Sequence, residues 1–173
     1  MKRHAAVAFS LLFISALFIA YAADAASTGA GAKHLVNINK DGVVVDGHDV
    51  VNYFTNHKPA MGAAEFSSAY EGGVYWFSSA DHKALFDADP AKYAPQFGGF
   101  CAYAVSRKGL RPVDPAIFHF VDGKLFLQHT QKAFDLFEKD ERGNTTRAYS
   151  NWPGLLKKKA DKYEPGQFDE PVK

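Results

Sequence analysis

The chain has 173 residues, 47% of them hydrophobic and 14% aromatic, with a formal net charge of +1. That length suits one domain with a proper core and does not call for two. So even a balance excludes the surplus positive charge on which nucleic-acid binding runs, and a single cysteine, Cys101, excludes a fold stapled by disulfides within the chain.

In chain order, Lys2, Arg3 and His4 precede an apolar stretch from Ala5 to Ala20, and Ala23-Asp24-Ala25 then offers small residues for signal-peptidase cleavage, with Ala20-Tyr21-Ala22 as a second choice. Basic, apolar and small-residue segments in that order make a secretory signal. The apolar run is shorter than the roughly 20 residues that cross a bilayer. Residues 1–25 are therefore expected to be removed, leaving a periplasmic or secreted protein with no membrane contact after cleavage. Removal of Lys2, Arg3 and Asp24 leaves 18 basic and 18 acidic side chains. Residues 26–33 form a Gly-rich leader, residues 34–160 the folded domain and residues 161–173 a C-terminal tail. The Lys157-Lys158-Lys159 run, with acidic residues close by, is expected to be a solvated helix face.

Val43 to Val45 reads as a short strand between the turn dipeptides Asp41-Gly42 and Asp46-Gly47. Asp49 to Phe54 reads as a semi-extended segment. Phe66 to Tyr70 and Val74 to Phe77 flank Glu71-Gly72-Gly73 as a β-hairpin. Ser78 and Ser79 can cap a helix that carries His82, Leu85 and Phe86 and stops at Asp89-Pro90, with one more short turn from Pro90 to Tyr93. Phe77, Leu85 and Phe86 are expected to pack together under the hairpin. Gly98-Gly99 suggests a bend or a close approach of chains. Ile117 to Val121 and Leu125 to Gln128 flank Asp122-Gly123, a strong hairpin signal. Thr130 can cap a helix with Ala133, Phe134, Leu136 and Phe137; a second helix over 141–149 and a third over 153–159 complete the chain. The fold class is α+β, a small single domain of two β-hairpins interleaved with short helices.

From Tyr70 to Tyr93 the sequence carries Tyr70-x-Gly72-x-x-Tyr75-x-Phe77-Ser78-Ser79-x-x-His82, then Lys83-x-x-Phe86 and Pro90-x-x-Tyr93, with Asp49-Val50-Val51-Asn52 upstream. This resembles the YHS domain family, in register over about 45 residues from Asp49 to Tyr93. The signal, the Gly98-Gly99-Phe100-Cys101 segment and Asn151-Trp152-Pro153 make the whole chain look like a stand-alone exported branch of it. The resemblance implies a compact metal-binding module of the kind appended to heavy-metal ATPases. It also sets cysteines where Asn52, Ser78 and His82 stand here. A serine hydroxyl is a poor ligand for a soft or borderline metal, whereas imidazole remains a good one. The family's thiolate set therefore cannot carry over whole.

Four candidates follow. Cys101 would act as a thiolate ligand or redox centre, or else as a buried small apolar residue. His82 stands at a family ligand position. Alternation along the second hairpin puts His119 opposite the Phe118, Phe120, Leu125 and Leu127 face and His129 on it; His129 is either a ligand or bonded to a backbone carbonyl. His48 and Asp49 form a loop pair that could bind a metal or hold the turn through the Asp side chain. The sequence contains no Gly-rich phosphate loop, no His-Glu-x-x-His and no Gly-x-Ser-x-Gly, so the reading leans away from an enzyme. The expected function is an exported metal-binding module using copper, or zinc in second place, through Cys101 and His82 with His129 or His48. The alternatives are a thiol-based redox protein using Cys101, and a structural or interaction domain that has lost the family metal site. Cys101 and His82 are expected to share one site.

Overall fold

The computed structural model of the chain describes residues 33–167. Its two antiparallel hairpins are β1 (Ala63–Tyr70) with β2 (Gly73–Phe77) and β3 (Asp114–Val121) with β4 (Lys124–Gln128). Six α-helices accompany them among the described residues: α1 (Val50–Asn56), α2 (Ala80–Ala88), α3 (Pro90–Tyr93), α4 (Ala102–Ser106), α5 (Gln131–Glu138) and α6 (Glu141–Lys159). The α+β class read from the sequence is the class observed. Both hairpins close through two residues of positive φ, Glu71-Gly72 and Asp122-Gly123, the turn geometry that matches the twist of the strands it joins.

Side-chain caps set the helix starts. Asp49, Ser79, Asp89, Thr130 and Asp140 each accept a bond from the first turn of α1, α2, α3, α5 and α6, which satisfies donors that a helix cannot bond internally. The Asp49 cap corrects the semi-extended reading of Asp49 to Phe54. Val50 and Val51 look strand-like by propensity, yet both are fully buried in a helix. The two helices expected over 141–149 and 153–159 are one helix that continues through Pro153. Packing against α4 holds it, with Asn151 Nδ2 donating to the carbonyls of Val105 and Ser106. Val43 to Val45 makes only isolated bridges, Val44 to Ile38 and Val43 to Val74, because Val45 and Asp46 turn to positive φ and end the extension.

The aromatic-rich core falls into two clusters. Val44, Val50, Val51, Tyr53, Tyr75, Phe77, Phe86, Cys101, Leu125 and Leu127 belong to the first, and Leu35, Phe97, Phe100, Phe126, Phe137, Ala148 and Leu155 to the second. Strand β4 divides them by alternation: Leu125 and Leu127 point one way and Phe126 the other. In the observed register Phe118 pairs with Leu127, His119 with Phe126 and Phe120 with Leu125, which leaves His119 on the face opposite Phe118 and Phe120, as read from the sequence. Phe77 and Phe86 stack at 5.0 Å, with Tyr75 4.8 Å from Phe86. Leu85 is 42% exposed and does not join them; α2 turns Phe86 inward and leaves its neighbour outside. Packing runs past residue 160: the Gly166 N–H bonds the Ile38 carbonyl at 2.9 Å, and the Tyr163 ring meets Phe100 at 5.4 Å. Among the described residues no helix is long and apolar enough to cross a membrane. The expected secretory signal and most of the expected Gly-rich leader lie outside the described residues.

Candidate functional site

Asp49 is the centre around which the polar residues of the first half gather. Its side chain is fully buried and accepts five bonds. Oδ1 takes the backbone N–H groups of Val51 at 2.9 Å and Asn52 at 3.2 Å. Oδ2 takes the Ser78 N–H at 2.9 Å, the Ser78 hydroxyl at 2.6 Å and His82 Nδ1 at 2.6 Å. A buried carboxylate needs such partners, because burial without them costs several kcal/mol (roughly 2–7 for a neutral polar group and more for a charge). One side chain thereby ties the start of α1, the end of β2 and the first turn of α2 into a single cluster. Of the three positions at which the resemblance sets cysteines, Ser78 and His82 bring their side chains to this carboxylate, while Asn52 brings its backbone N–H and turns its side chain to the Lys58 carbonyl.

The Asp49 bond also selects the tautomer of the imidazole. A carboxylate accepts, so in the neutral ring Nδ1 carries the proton and Nε2 the lone pair. Nε2 lies at the margin of the protein, 3.4 Å from the Thr55 hydroxyl, and the His82 side chain keeps 16% of its surface in solvent. Carboxylate, imidazole and outward-facing lone pair in series is the arrangement that orients histidine ligands at metal centres. The same arrangement serves a general base.

Cys101 has a different environment. It sits at the start of α4, 1% exposed, with its thiol 3.3 Å from Gln128 Oε1. Burial pushes the thiol pKa up, against the opposite pull of the backbone N–H groups of Ala104, His129 and Tyr103 and the Arg111 charge. The protonated thiol is favoured. The His129 backbone thus touches the sulfur, but its ring turns to the Pro112 carbonyl, 3.1 Å from Nδ1. His48 Nδ1 lies 3.0 Å from the Val45 carbonyl. No hydrogen bond or ion pair joins the side chains of any two of Cys101, His82, His129 and His48. Among the described residues no three His, Cys, Asp or Glu side chains converge as a metal centre would need.

Two members of the cluster escaped the sequence reading. In sequence Asp49 reads as the partner of His48 in a metal-binding or turn pair and not as a helix cap; its position one residue before Val50-Val51-Asn52 was the available signal for an N-cap. Thr55 carried no signal, since it reaches His82 across 27 positions. No protein-family model, curated protein or solved structure matches the chain.

Proposed function

We propose that this protein is an exported binding module of YHS type that offers the His82 imidazole to a transition-metal ion, copper first and zinc second. The observation that carries this reading is the 2.6 Å bond from His82 Nδ1 to the buried Asp49, which leaves Nε2 as an oriented donor at the surface. Copper and zinc both accept imidazole nitrogen. The donor set fits one imidazole ligand and not the thiolate cage of the resemblance, because the oxygens of Asp49 and Ser78 are taken up by each other. Water or a ligand brought by a partner completes the coordination, so binding is weaker than at a closed site. The raised pKa of Cys101 speaks for placing the metal at His82 rather than at sulfur, and equally against a thiol-redox reading.

Calorimetric titration of the mature protein with Cu(II) and with Zn(II) tests this. Binding should vanish in His82→Ala and persist in Cys101→Ser. Unchanged binding in His82→Ala would remove the reading. A second reading has its own support: the five bonds on Asp49 by themselves knit α1, β2 and α2 together. If the wild type takes up neither metal while His82→Ala loses stability, the cluster is a clasp and the chain a domain that has replaced the metal site with hydrogen bonds.

A further inference from the structure

Three regions outside the Asp49 cluster invite a function. The first is an aromatic cleft lined by Tyr70, Tyr75 and Trp152, where nothing selects one ligand chemistry. The second is the pair of buried His119 nitrogens without partners, which the rings of Phe126, Phe134 and Phe137 enclose. The third is a cleft of about 350 Å³ between the α4–β3 loop and the end of α6, and its charge does select a ligand. Lys108, Arg111, Lys159 and Lys162 all line it, and no Asp or Glu does.

We propose that this cleft binds a small multivalent anion of the phosphate class. Charge segregation is the first support. Four cations line one cleft without an acidic residue among them, whereas Lys33, Lys83 and Arg147 each stand against a carboxylate, of Asp161, Asp87 and Asp140. None of the four cations in the cleft makes an ion pair among the described residues. The mature sequence has equal numbers of acidic and basic side chains, so four uncompensated cations in one cleft are a local concentration and not a reflection of overall charge. Held together they repel one another, and an anion relieves that repulsion.

The helix macrodipole accounts for only part of the pattern. Lys157, Lys158 and Lys159 occupy the last turn of α6, where cations are favoured. Lys108 and Arg111 come from the loop that leaves α4, and Lys162 lies beyond the helix. Lys108 is also held at φ +63°, in the left-handed region where glycine is ordinary at a helix end. Its N–H bonds the Val105 carbonyl, and the next N–H, of Gly109, bonds the Ala104 carbonyl at 2.8 Å. A lysine therefore occupies a position that a glycine would fill at less cost.

Size and donor type narrow the ligand. A volume of 350 Å³ is at the small end of ligand pockets, too small a footprint for duplex nucleic acid. The planar fork of Arg111 suits phosphate oxygens, with lysines as point charges around them. One Arg111 N–H goes to the Leu110 carbonyl at 3.1 Å, which steadies the guanidinium.

Titration of the mature chain, including residues 168–173, with inorganic triphosphate at low ionic strength tests the assignment independently of the metal reading. Saturable one-site binding is expected, with a loss of about tenfold for each of Lys108→Gly, Arg111→Gln and Lys162→Gln, on the order of one phosphate contact each. Lys108→Gly relieves the left-handed strain while it removes the charge, so its loss of affinity cannot be blamed on misfolding. The paired variant Lys157→Gln with Lys158→Gln removes two charges from the same helix end but none from the cleft, and it should bind as wild type does. Vesicles containing phosphatidic acid separate two sources of the same chemistry. Sedimentation with them, competed by triphosphate, supports the cleft with a lipid headgroup as its anion; no sedimentation beside retained triphosphate binding supports it with a soluble phosphate compound. Absence of triphosphate binding, or equal losses in the cleft variants and the Lys157/Lys158 variant, would overturn the proposal.

Discussion

His119 holds an imidazole whose two ring nitrogens are shut from water with no hydrogen-bond partner. Phe126, Phe134 and Phe137 surround it at 5.0–5.5 Å. Burial pushes its pKa down to about 4 from the usual 6.5, since the charged form is the one that desolvation penalises. The unfolded chain therefore binds this proton more readily than the folded one. Stability is fully present above about pH 6.5 and falls as the pH drops toward 4, by up to roughly 3 kcal/mol for this group. Urea unfolding at pH 7 and pH 4.5 should show that fall in the wild type and a clearly smaller one in His119→Leu. Equal falls would mean that the ring is solvated. At this scale the sequence was half legible. Strand alternation placed His119 on the correct face, but its enclosure by rings from β4 and α5 depends on tertiary packing that no local pattern encodes.

Among the elements, the segment around Gly98 shows how backbone proximity fixes a fold. The Asn37 N–H donates to the Gly98 carbonyl at 2.8 Å, and a Cβ at position 98 would meet the Leu35 carbonyl oxygen at 2.1 Å, with φ at +59°. Gly123 in the β3–β4 turn has φ +72° and nothing within 4 Å of its would-be Cβ. Gly123→Ala should thus cost only the conformational term, about 1 kcal/mol, while Gly98→Ala adds a clash for about 2–4 kcal/mol. Chemical denaturation of the two variants side by side measures the difference, and similar losses would show that the Leu35 strap yields. The sequence signalled a close approach at Gly98-Gly99 without naming its partner. It misjudged α1 and α6 for one shared reason: β-branched Val50-Val51 and helix-breaking Pro153 speak through local propensity, and the Asp49 cap and α4 packing override them.

For the whole molecule, the β3–β4 hairpin separates two aromatic clusters, with Phe118 and Phe120 against the first and Phe126 in the second. Because both clusters share β4, they are expected to melt together. Phe126→Ala should cost about 3–5 kcal/mol and leave one transition, coincident in near- and far-ultraviolet circular dichroism. Two separated transitions would show that the clusters are independent. The two-hairpin plan was readable from turn dipeptides and alternation. The convergence of Ser78 and His82 on Asp49 was not, because it joins residues up to 33 positions apart.

The seclusion of Cys101 gives the chain a memory of its own history. It is the only thiol in the sequence, and at 1% exposure no bulky reagent reaches it while α4 rests on β4. In an oxidising setting, a mixed disulfide or a disulfide-linked pair of chains can form only during an excursion in which that contact opens. Each modified sulfur is then a permanent mark of one such event, and the modified fraction counts how often molecules in a population have come apart.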